Sequence, residues 1–385
     1  MKVVVTGGGS GGHIMPVLAV AAALKAKDPK IMVIYIGQKG DKLADIPAQD
    51  SNIDAVFTVR AGKYRRYHGL GWRQILDIKT LLLNIRDLGF IAMGLVQSWL
   101  LIRRIRPEVI FTRGGFVSVP VALAGKLNHV PYITHDSDST PSLANRLIAR
   151  WASLHAVALP EEVYPYPRAK TLTVGVPISQ QYRPVDAAAK RSFRAELKLP
   201  EKAQVLLVTG GGNGAHNLNM VVLATAATLL KRYPELIIVH VAGRALEDSL
   251  SDSYDQVLRP QFRDRVQVIG FTSELHAYSA AADVVIARGG ATNLAEFAAQ
   301  NKACIIVPSP QLIWNVKNAE TLAREGAILE LSEAQADQEG RLGKLVADLL
   351  DDPKKRAAMG DRLHSFARTD AAERLADILI EQAGQ

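Results

Sequence analysis

Short runs of β-branched and aliphatic residues alternate along the chain with longer segments whose apolar positions recur at helical spacing. The first run, Val3–Val5, is followed by glycines and then by Pro16–Ala26, which fits a helix buried on several sides. A second run, Ile31–Ile36, comes a few residues later, and Val109–Thr112 and Tyr132–Thr134 continue the alternation. Strands separated by helix-length segments predict a parallel sheet with right-handed crossovers.

The beginning of this pattern recurs in the second half of the chain. Val5–His13 (VTGGGSGGH) and Val208–His216 (VTGGGNGAH) agree at seven of nine positions, and each copy follows an apolar run and precedes a helical pattern. Further apolar runs restore the alternation at Leu236–Val241, Val266–Ile269, Val284–Ala287 and Cys304–Val307. The sequence therefore predicts an α/β protein made of two doubly wound, Rossmann-like halves.

Length and composition agree with two globular domains. The chain of 385 residues exceeds a typical single-core domain, and its 48% hydrophobic and 22% charged residues exclude disordered, collagen-like and coiled-coil classes. We place the junction in Gly175–Pro184 and predict an N-terminal domain over 1–178 and a C-terminal domain over 179–365. A last helix within 366–385 is expected to pack back on the N-terminal domain.

Two features bear on the cellular compartment. The single cysteine, Cys304, excludes a disulfide scaffold and a zinc cluster built on thiolates. The N-terminal MKVVVTGGG lacks the basic region, the apolar region and the cleavage site of a secretory signal. We therefore expect a protein that remains in a reducing compartment.

Both copies of the near-repeat have the glycine spacing of a phosphate-binding turn. Gly7–Gly12 fits G-x-G-x-x-G and Gly210–Ala215 fits its looser form, so that backbone N–H groups and a helix N-terminus can approach a phosphate. The second strand ends in Gly37–Lys39 without an acidic residue, which disfavours NAD, and neither loop has the lysine and hydroxyl pair of an ATPase. Two such loops favour a nucleotide diphosphate sugar in an interdomain cleft. The alternative is that one loop is only a tight turn.

A third glycine turn opens a helical pattern within Ala287–Gln300 (ARGGATNLAEFAAQ). Glu296 lies on an early turn of that helix, where its carboxylate can accept hydrogen bonds from both hydroxyls of a ribose. The alternative is an exposed acidic residue that the helix dipole favours near the N-terminus.

Six segments, in their order and spacing, resemble the MurG-type N-acetylglucosaminyltransferases of peptidoglycan synthesis, and the resemblance covers nearly the whole chain. They are GGGSGGHIMPVLAVA (Gly7–Ala21), GGFVSVP (Gly114–Pro120), HDSDSTPSLANRLIAR (His135–Arg150), VGVP (Val174–Pro177), GGGNGAHNLN (Gly210–Asn219) and ARGGATNLAEFAA (Ala287–Ala299). The resemblance implies the GT-B fold and an inverting transfer of GlcNAc from UDP-GlcNAc to the muramyl C4 hydroxyl of undecaprenyl-pyrophosphoryl-MurNAc-pentapeptide. It implies no cofactor and no metal.

The resemblance also assigns roles to single residues. His13 is expected to be the general base, since an imidazole titrates near neutrality, or else to orient the acceptor pyrophosphate. His216, at the matching place in the second loop, is not expected to be the base, because the family usually has arginine there. The acceptor side is expected to comprise Ser10, Gly11, Gly12, Gly114, Gly115, Phe116, His135 and Asp138. The donor side is expected to comprise Gly212, Asn213, Gly214, Phe271, Thr272, Gly290, Ala291, Thr292, Glu296, Asn315 and Arg183.

The donor-side roles are specific. The loop Gly212–Gly214 should hold the UDP phosphates, Glu296 the ribose, and the backbone of Phe271–Thr272 the edge of the uracil. All three follow from the resemblance.

Several positions depart from the family pattern. HEQN has become HDSD, the tyrosine of GGYVSGP is Phe116, the arginine after GNPV is Ser179, and an expected glutamine is Asn315. Arg183 is close enough in sequence to replace the lost cation. The sequence therefore determines the reaction class more firmly than the identity of the sugar and the acceptor. Asp136 and Asp138 also form DxD, a metal motif of the other large glycosyltransferase fold, but their place in the HEQN-like segment argues against a metal.

The N-terminal half carries a candidate membrane surface. The net charge of +8 favours anionic partners, and basic and aromatic residues alternate in 60–73, with Arg60, Lys63, Arg65, Arg66 and Arg73 beside Tyr64, Tyr67 and Trp72. The apolar run Leu88–Ile102 follows and precedes Arg103, Arg104 and Arg106. Because that run is shorter than about 20 residues, we expect peripheral contact with anionic lipid at the cytoplasmic face and no membrane span. The alternative is a set of buried helices with solvated arginines. No nucleic-acid motif accompanies the charge.

Two other functions remain open at this stage. One is a different GT-B enzyme that uses UDP-GlcNAc, with another lipid acceptor or as an epimerase. The other is a UDP-sugar-binding protein without turnover. The sequence does not determine the oligomeric state or the degree of domain closure.

Overall fold

The computed structural model describes residues 1–62, 78–338 and 340–384. The chain divides into two compact units. The N-terminal unit comprises Met1–Ser179 and Asp370–Gln385, and the C-terminal unit comprises Gln180–Thr369.

Among the described residues, the N-terminal unit contains a seven-stranded parallel sheet. Its strands are β1 (Lys2–Thr6), β2 (Met32–Gln38), β3 (Ala55–Val59), β4 (Val109–Thr112), β5 (Tyr132–Asp136), β6 (Leu154–Val157) and β7 (Thr171–Thr173), in the order β3-β2-β1-β4-β5-β6-β7. The helices are α1 (Gly11–Lys27), α2 (Asp45–Gln49), α3 (Ile78–Ile105), α4 (Ser118–Leu127) and α5 (Leu143–Ile148). The winding direction reverses between β1 and β4, and ligands of open α/β sheets bind at such a point.

The described part of the C-terminal unit repeats this plan with six parallel strands. They are β8 (Gln204–Thr209), β9 (Leu236–Val241), β10 (Val266–Ile269), β11 (Val284–Ala287), β12 (Cys304–Ile306) and β13 (Leu329–Glu330), in the order β10-β9-β8-β11-β12-β13. The helices are α6 (Ala187–Glu196), α7 (His216–Arg232), α8 (Glu247–Val257), α9 (Pro260–Arg263), α10 (Leu275–Ala281), α11 (Ala291–Ala299), α12 (Ile313–Arg324), α13 (Glu333–Ala336), α14 (Arg341–Leu350) and α15 (Pro353–His364). The winding reverses between β8 and β11.

The hydrophobic pattern accounts for both sheets. The predicted runs form β1, β2, β4, β5, β8, β9, β10, β11 and β12, whereas β3, β6, β7 and β13 were not predicted. The central strands are almost entirely buried, as strands covered by helices on both faces must be. The fold-class prediction of two doubly wound, parallel α/β units is confirmed. Each copy of the near-repeat joins the central strand of a sheet to its first crossover helix, and therefore lies at the switch point.

The chain ends in α16 (Ala371–Ala383), which belongs to the N-terminal unit. Leu375 and Leu379 of α16 are fully buried in the same hydrophobic cluster as Val20 and Leu24 of α1. Lys27 of α1 also forms an ion pair of 2.6 Å with Asp377. Burial of the apolar stripe of an amphipathic helix explains why this last segment folds on α1.

Helix α3 is longer than the apolar run that the sequence analysis counted. It extends over 28 residues, and its part Leu83–Ile105 is long and apolar enough to cross a membrane by length and composition, although only 22% of the most apolar window is buried. The length argument against a membrane span was therefore wrong, because the helix begins before Leu88 and continues past Ile102. The expectation of peripheral contact stays a prediction. Of the predicted basic and aromatic cluster, residues 63–73 lie outside the described residues.

Candidate functional site

The first glycine loop connects β1 to the N-terminus of α1. Gly9 has a φ of +80°, which favours glycine, and a Cβ on Gly7 would come within 2.8 Å of the His13 carbonyl oxygen. Ser10 is the extended N-cap residue, and Gly11 and Gly12 form the first turn of α1, which contains no acidic side chain. The positive end of the helix is thus exposed to whatever binds at the loop.

His13 lies at the centre of this loop. Its Nδ1 atom is 3.0 Å from the Gly8 carbonyl oxygen and 3.1 Å from the Ser10 Oγ atom. Because a carbonyl oxygen can only accept, Nδ1 carries the proton and Nε2 keeps its lone pair. Burial of the ring and the nearby Arg113 cation lower the pKa of His13 to about 4. The expectation that this imidazole titrates near neutrality is therefore wrong, and the ring is neutral at pH 7.

One donor of the first loop is already used inside the protein. The Gly9 N–H donates to the Asp41 Oδ2 atom at 2.7 Å, and the Leu43 N–H donates to Oδ1 at 3.0 Å. A carboxylate therefore occupies part of the position that a phosphate oxygen would take. A phosphate at this loop must bind to the remaining donors or displace Asp41.

The predicted segment Gly114–Phe116 lies directly against the first loop. Gly114 and Gly115 follow β4 with φ values of +94° and +88°. A Cβ on Gly115 would be 3.0 Å from the Gly8 carbonyl oxygen and 3.6 Å from His13 Nδ1. The fold thus brings together two acceptor segments that lie about a hundred residues apart in the sequence.

His135 and its neighbour Asp136 are built into the interior of the N-terminal unit. His135 is fully buried, with Nε2 2.9 Å from the Gly175 carbonyl oxygen, and burial lowers its pKa to about 3. The two carboxylate oxygens of Asp136 accept from the Ser142 N–H at 3.1 Å, the Asn145 side-chain amide at 2.9 Å and the Tyr166 hydroxyl at 2.7 Å. All these contacts are made within the N-terminal unit. They do not test a contact between His135 and an acceptor, which stays a prediction.

Arg113, like Asp41, is a site residue that the sequence analysis missed. It follows β4 directly, is only 5% exposed, and its Nε atom has no hydrogen-bond partner. Its charge lowers the pKa of both His13 and His135, and the carboxylates of Asp138 and Asp136 oppose the effect of burial on its own pKa. A charged residue between a buried strand and a glycine pair was the available sequence signal.

The second glycine loop has the same design at the carboxyl end of β8. Gly211 and Gly214 have φ values of +83° and +74°, and Gly214 packs so tightly against the Ala242 carbonyl that a Cβ would not fit there. Asn213 is exposed, and so is His216, the first residue of α7. The predicted phosphate loop Gly212–Gly214 thus presents its backbone at a helix N-terminus.

The third glycine turn lies beside this loop, since β11 pairs with β8. Gly290 is the extended N-cap residue of α11, which Ala291 and Thr292 begin. Glu296 is 4% exposed, so the alternative of an exposed acidic residue is wrong. Burial raises the pKa of Glu296 to about 8, although the Tyr182 hydroxyl donates a hydrogen bond to the carboxylate and opposes that shift. A buried carboxylate at a parallel-sheet switch point is a candidate binding group.

The remaining donor residues lie around these two helix ends. Asn315 is buried, and its backbone packs on Gly289. The Arg244 guanidinium lies 4.3 Å from the centre of the Phe271 ring, and Thr272 Oγ1 accepts from the Glu274 N–H at 2.9 Å. Arg183 is exposed and lines a cavity of about 320 Å³ in the C-terminal unit with Gln180, Gln181, Phe193 and His276.

Comparison with known proteins identifies the family. Residues 3–157 match the glycosyltransferase family 28 N-terminal domain, and residues 205–375 match the glycosyltransferase family 28 C-terminal domain. The UDP-N-acetylglucosamine–N-acetylmuramyl-(pentapeptide) pyrophosphoryl-undecaprenol N-acetylglucosamine transferase of Moorella thermoacetica is 32% identical over 99% of both chains. The chain belongs to the MurG-type transferases of glycosyltransferase family 28. The transferase of the same name from Symbiobacterium thermophilum is 32% identical, covering 100% of this chain and 97% of the relative.

Solved structures of the same fold extend beyond this family. Acinetobacter baumannii MurG superposes with a TM-score of 0.69 at 20% identity over 99% of both chains. A UDP-N-acetylglucosamine 2-epimerase superposes with a TM-score of 0.66 at 14% identity, over 100% of this chain and 97% of the epimerase. These likenesses concern the fold, and the predicted GT-B fold is confirmed. The prediction of a glycosyltransferase is confirmed by the family, since the relatives at 32% identity are named transferases.

Proposed function

We propose that the chain transfers GlcNAc from UDP-GlcNAc to the C4 hydroxyl of the muramyl residue in a lipid-linked pyrophosphoryl acceptor, with inversion at the anomeric carbon. The observation that carries this proposal is that each unit has a glycine loop of the same form between a strand and a helix. One loop positions a neutral imidazole whose Nε2 atom is unprotonated, and the other lies beside a buried carboxyl group at a second helix N-terminus.

On the donor side, the N-termini of α7 and α11 begin after adjacent strands. Their backbone N–H groups and positive helix ends suit the two phosphates of UDP and the charge that develops as UDP leaves. When ionised, Glu296 can accept hydrogen bonds from both ribose hydroxyls; because its pKa is about 8, the protonated form at neutral pH can accept from one hydroxyl and donate to the other. Donor binding and leaving-group stabilisation are thereby assigned to groups that need no metal ion.

On the acceptor side, we assign the proton transfer to His13. As the C4 oxygen forms its bond to the anomeric carbon, the bond from that carbon to the UDP oxygen breaks, and the hydroxyl proton passes to Nε2. The resulting imidazolium still donates from Nδ1 to the Gly8 carbonyl. One displacement with the base opposite the leaving group inverts the anomeric carbon.

The exposed face of α3 supports contact with a membrane surface. Ile85, Leu88, Ala92, Val96 and Leu100 follow one another at spacings of three or four residues and are all exposed. This apolar stripe, the α3 stripe, covers about four turns of the helix. The α3 stripe is the kind of surface that inserts into the headgroup region of a lipid bilayer.

Charges at both ends of the α3 stripe favour a helix that lies on the membrane. The Arg86 guanidinium lies 5.4 Å from the centre of the Phe90 ring, and the Arg103 guanidinium lies 5.4 Å from that of Trp99. The other side of α3 is packed, because Ile102 and Ile105 are buried with residues of β1, β2 and α4. We infer peripheral attachment to anionic lipid at the cytoplasmic face, worth about 1 kcal/mol per cation near the surface.

A product assay tests the proposal. The protein is incubated with UDP-GlcNAc in the presence and in the absence of lipid-linked muramyl-pentapeptide, and the products are identified by mass spectrometry and NMR. We expect UDP release and a β-linked disaccharide only when the acceptor is present. Conversion of UDP-GlcNAc to its epimer without acceptor, or UDP binding with no turnover under either condition, would contradict the proposal.

A further inference from the structure

The two glycine loops have nearly the same sequence, but a carboxylate lies on the backbone of the first. The Gly9 N–H donates to the Asp41 Oδ2 atom at 2.7 Å, and the Leu43 N–H donates to Oδ1 at 3.0 Å. A Cβ on Gly8 would lie 3.0 Å from the same Oδ2 atom, so the carboxylate packs directly against the loop. Asp41 therefore joins the loop after β1 to the turn after β2.

The sheets show which residue of the C-terminal unit corresponds to Asp41. Ile36 of β2 lies opposite the threonine that precedes the first glycine loop, and Val241 of β9 lies opposite the threonine that precedes the second. Asp41 is the fifth residue after Ile36, and Leu246 is the fifth residue after Val241. Asp41 and Leu246 therefore occupy corresponding positions in the two units.

The turns that contain these two residues are built alike. The Asp41 N–H donates to the Gln38 carbonyl at 3.2 Å, and the Leu246 N–H donates to the Gly243 carbonyl at 2.9 Å. The side chains differ, because Leu246 has no polar atom and packs against the hydrophobic cluster of its own unit. Among the described residues, no carboxylate accepts a hydrogen bond from the backbone of the second loop, residues 210–214. The same position is thus acidic beside one loop and apolar beside the other.

Asp41 is the charge that distinguishes the two loops. Each turn also has an exposed basic residue at its third position, Lys39 in the N-terminal unit and Arg244 in the C-terminal unit, so the cation is common to both. A carboxylate on a loop amide occupies a donor that a phosphate oxygen would use, and it repels the phosphate as well. Free UDP is opposed most strongly, since its terminal phosphate carries more negative charge than the diphosphate diester of a lipid-linked acceptor.

We propose that Asp41 is a specificity-determining residue, whose carboxylate excludes UDP from the first loop, so that the nucleotide binds at the second loop alone. The inference rests on the proposed function, in which the first loop receives the acceptor and the second receives UDP. It adds a reason why two loops of nearly the same sequence bind different diphosphates. Discrimination of this kind comes from a repulsive group at the wrong site as much as from attraction at the right one.

The test counts the UDP molecules that each chain binds, by isothermal titration. Asp41→Ala releases the Gly9 N–H and removes the charge, whereas Asp41→Asn removes the charge and keeps the size of the side chain. We expect one UDP per wild-type chain and two per chain of either variant, because the affinity of the first loop for UDP should rise by about tenfold or more without the like charge. A water-soluble analogue of the acceptor should displace the additional UDP, which places that UDP at the first loop.

Asp50→Asn is the matched control. The Asp50 Oδ1 atom accepts from the Asn52 N–H at 2.8 Å, which is the bond that Asp41 makes with the N–H of Leu43. The bonds of Asp50 lie within the turn before β3, so the control removes a carboxylate of the same unit and should still bind one UDP. Thermal unfolding of all three variants checks that each is folded at the temperature of the titration.

The outcomes separate the two levels of the proposal. If the wild type binds no UDP, the proposed function is wrong, and the role of Asp41 is wrong with it. If the wild type binds one UDP and transfers GlcNAc, but both Asp41 variants also bind one, only the role of Asp41 is overturned. Two UDP molecules on the wild-type chain, or an additional UDP on the variants that the acceptor analogue does not displace, would overturn that role as well.

Discussion

The Nδ1 atom of His13 lies 3.0 Å from the carbonyl oxygen of Gly8, and this contact determines which ring nitrogen can act as a base. The carbonyl requires a proton on Nδ1, so Nε2 is the basic atom. A short loop fixed by glycines thus sets the tautomer of the side chain that follows it.

Replacement of His13 by alanine should lower kcat by a factor of about 10² to 10⁴, the range of general base catalysis, and leave the Kd for UDP unchanged. His13→Gln keeps a polar side chain of similar reach but cannot take up a proton, and should be equally slow. Steady-state kinetics with saturating acceptor and titration with UDP measure the two quantities. If either variant is as active as the wild type, His13 is not the general base.

Loss of the Arg113 charge should raise the pKa of His13. The guanidinium lowers that pKa, whereas Asp41 and the Gly8 contact raise it, so Arg113→Gln shifts the balance towards the protonated ring. Because protonated His13 cannot accept a proton, the acid limb of kcat/KM for the acceptor should move to higher pH. Arg113→Lys keeps the charge, so its kcat/KM for the acceptor should fall at the same acidic pH as that of the wild type. Equal acid limbs in wild type and Arg113→Gln would contradict this electrostatic role.

The burial of Glu296 should make the stability of the protein depend on pH in a defined direction. Its pKa is about 8 in the fold against an ordinary value of 4.5, so the folded state holds the proton more tightly. The contribution of this tighter proton binding to the free energy of unfolding is fully present below about pH 4.5 and is lost as the pH rises through 8.

Glu296→Gln has no titrating carboxyl group at this position. The difference between its free energy of unfolding and that of the wild type should therefore increase in favour of the variant as the pH rises from 5 to 8. The gain is at most about 5 kcal/mol, since one unit of pKa corresponds to about 1.4 kcal/mol. Chemical denaturation of both proteins across this pH range measures it. A difference in unfolding free energy that does not change with pH would show that Glu296 is not the group that titrates.

Charges placed in the α3 stripe should weaken membrane binding without affecting the chemistry. The double variant Val96→Glu, Leu100→Glu is expected to bind anionic vesicles at least tenfold more weakly and to lose activity on a long-chain lipid acceptor. Its activity on a water-soluble acceptor with a short lipid should stay at the wild-type level. Val257→Glu is the control, because Val257 is equally exposed but belongs to the C-terminal unit. Unchanged vesicle binding by the double variant would rule out the α3 stripe as the contact.

Activity is expected to be independent of divalent ions. The donor phosphates are assigned to helix N-termini, and three donors occupy the Asp136 carboxylate of the DxD-like motif. Rates measured after dialysis against EDTA should equal those measured with added magnesium or manganese. Full loss of activity on chelation, restored by either ion, would contradict the assignment.

Much of the fold could be predicted from local sequence patterns. A continuous β-branched or aliphatic run indicates a strand, and a helical period indicates a crossover. Nine of the thirteen described strands were predicted in this way, and β3, β6, β7 and β13 were not. The glycines at Gly9 and Gly214 have positive φ, a backbone requirement that a sequence motif records directly. The length of α3 was underestimated, because the charged residues Arg86 and Asp87 ended the counted apolar run without ending the helix.

The sequence by itself determined the two parallel α/β units, the glycine loops at the ends of their central strands and the candidates His13 and Glu296. Only the tertiary structure decided the environment of those candidates. It placed the Arg113 charge near His13 and the Asp41 carboxylate on the Gly9 amide. Each of these contacts joins residues far apart in the chain. Local propensity carries no information about such pairs, because burial and charge proximity arise only when the sheets and helices pack.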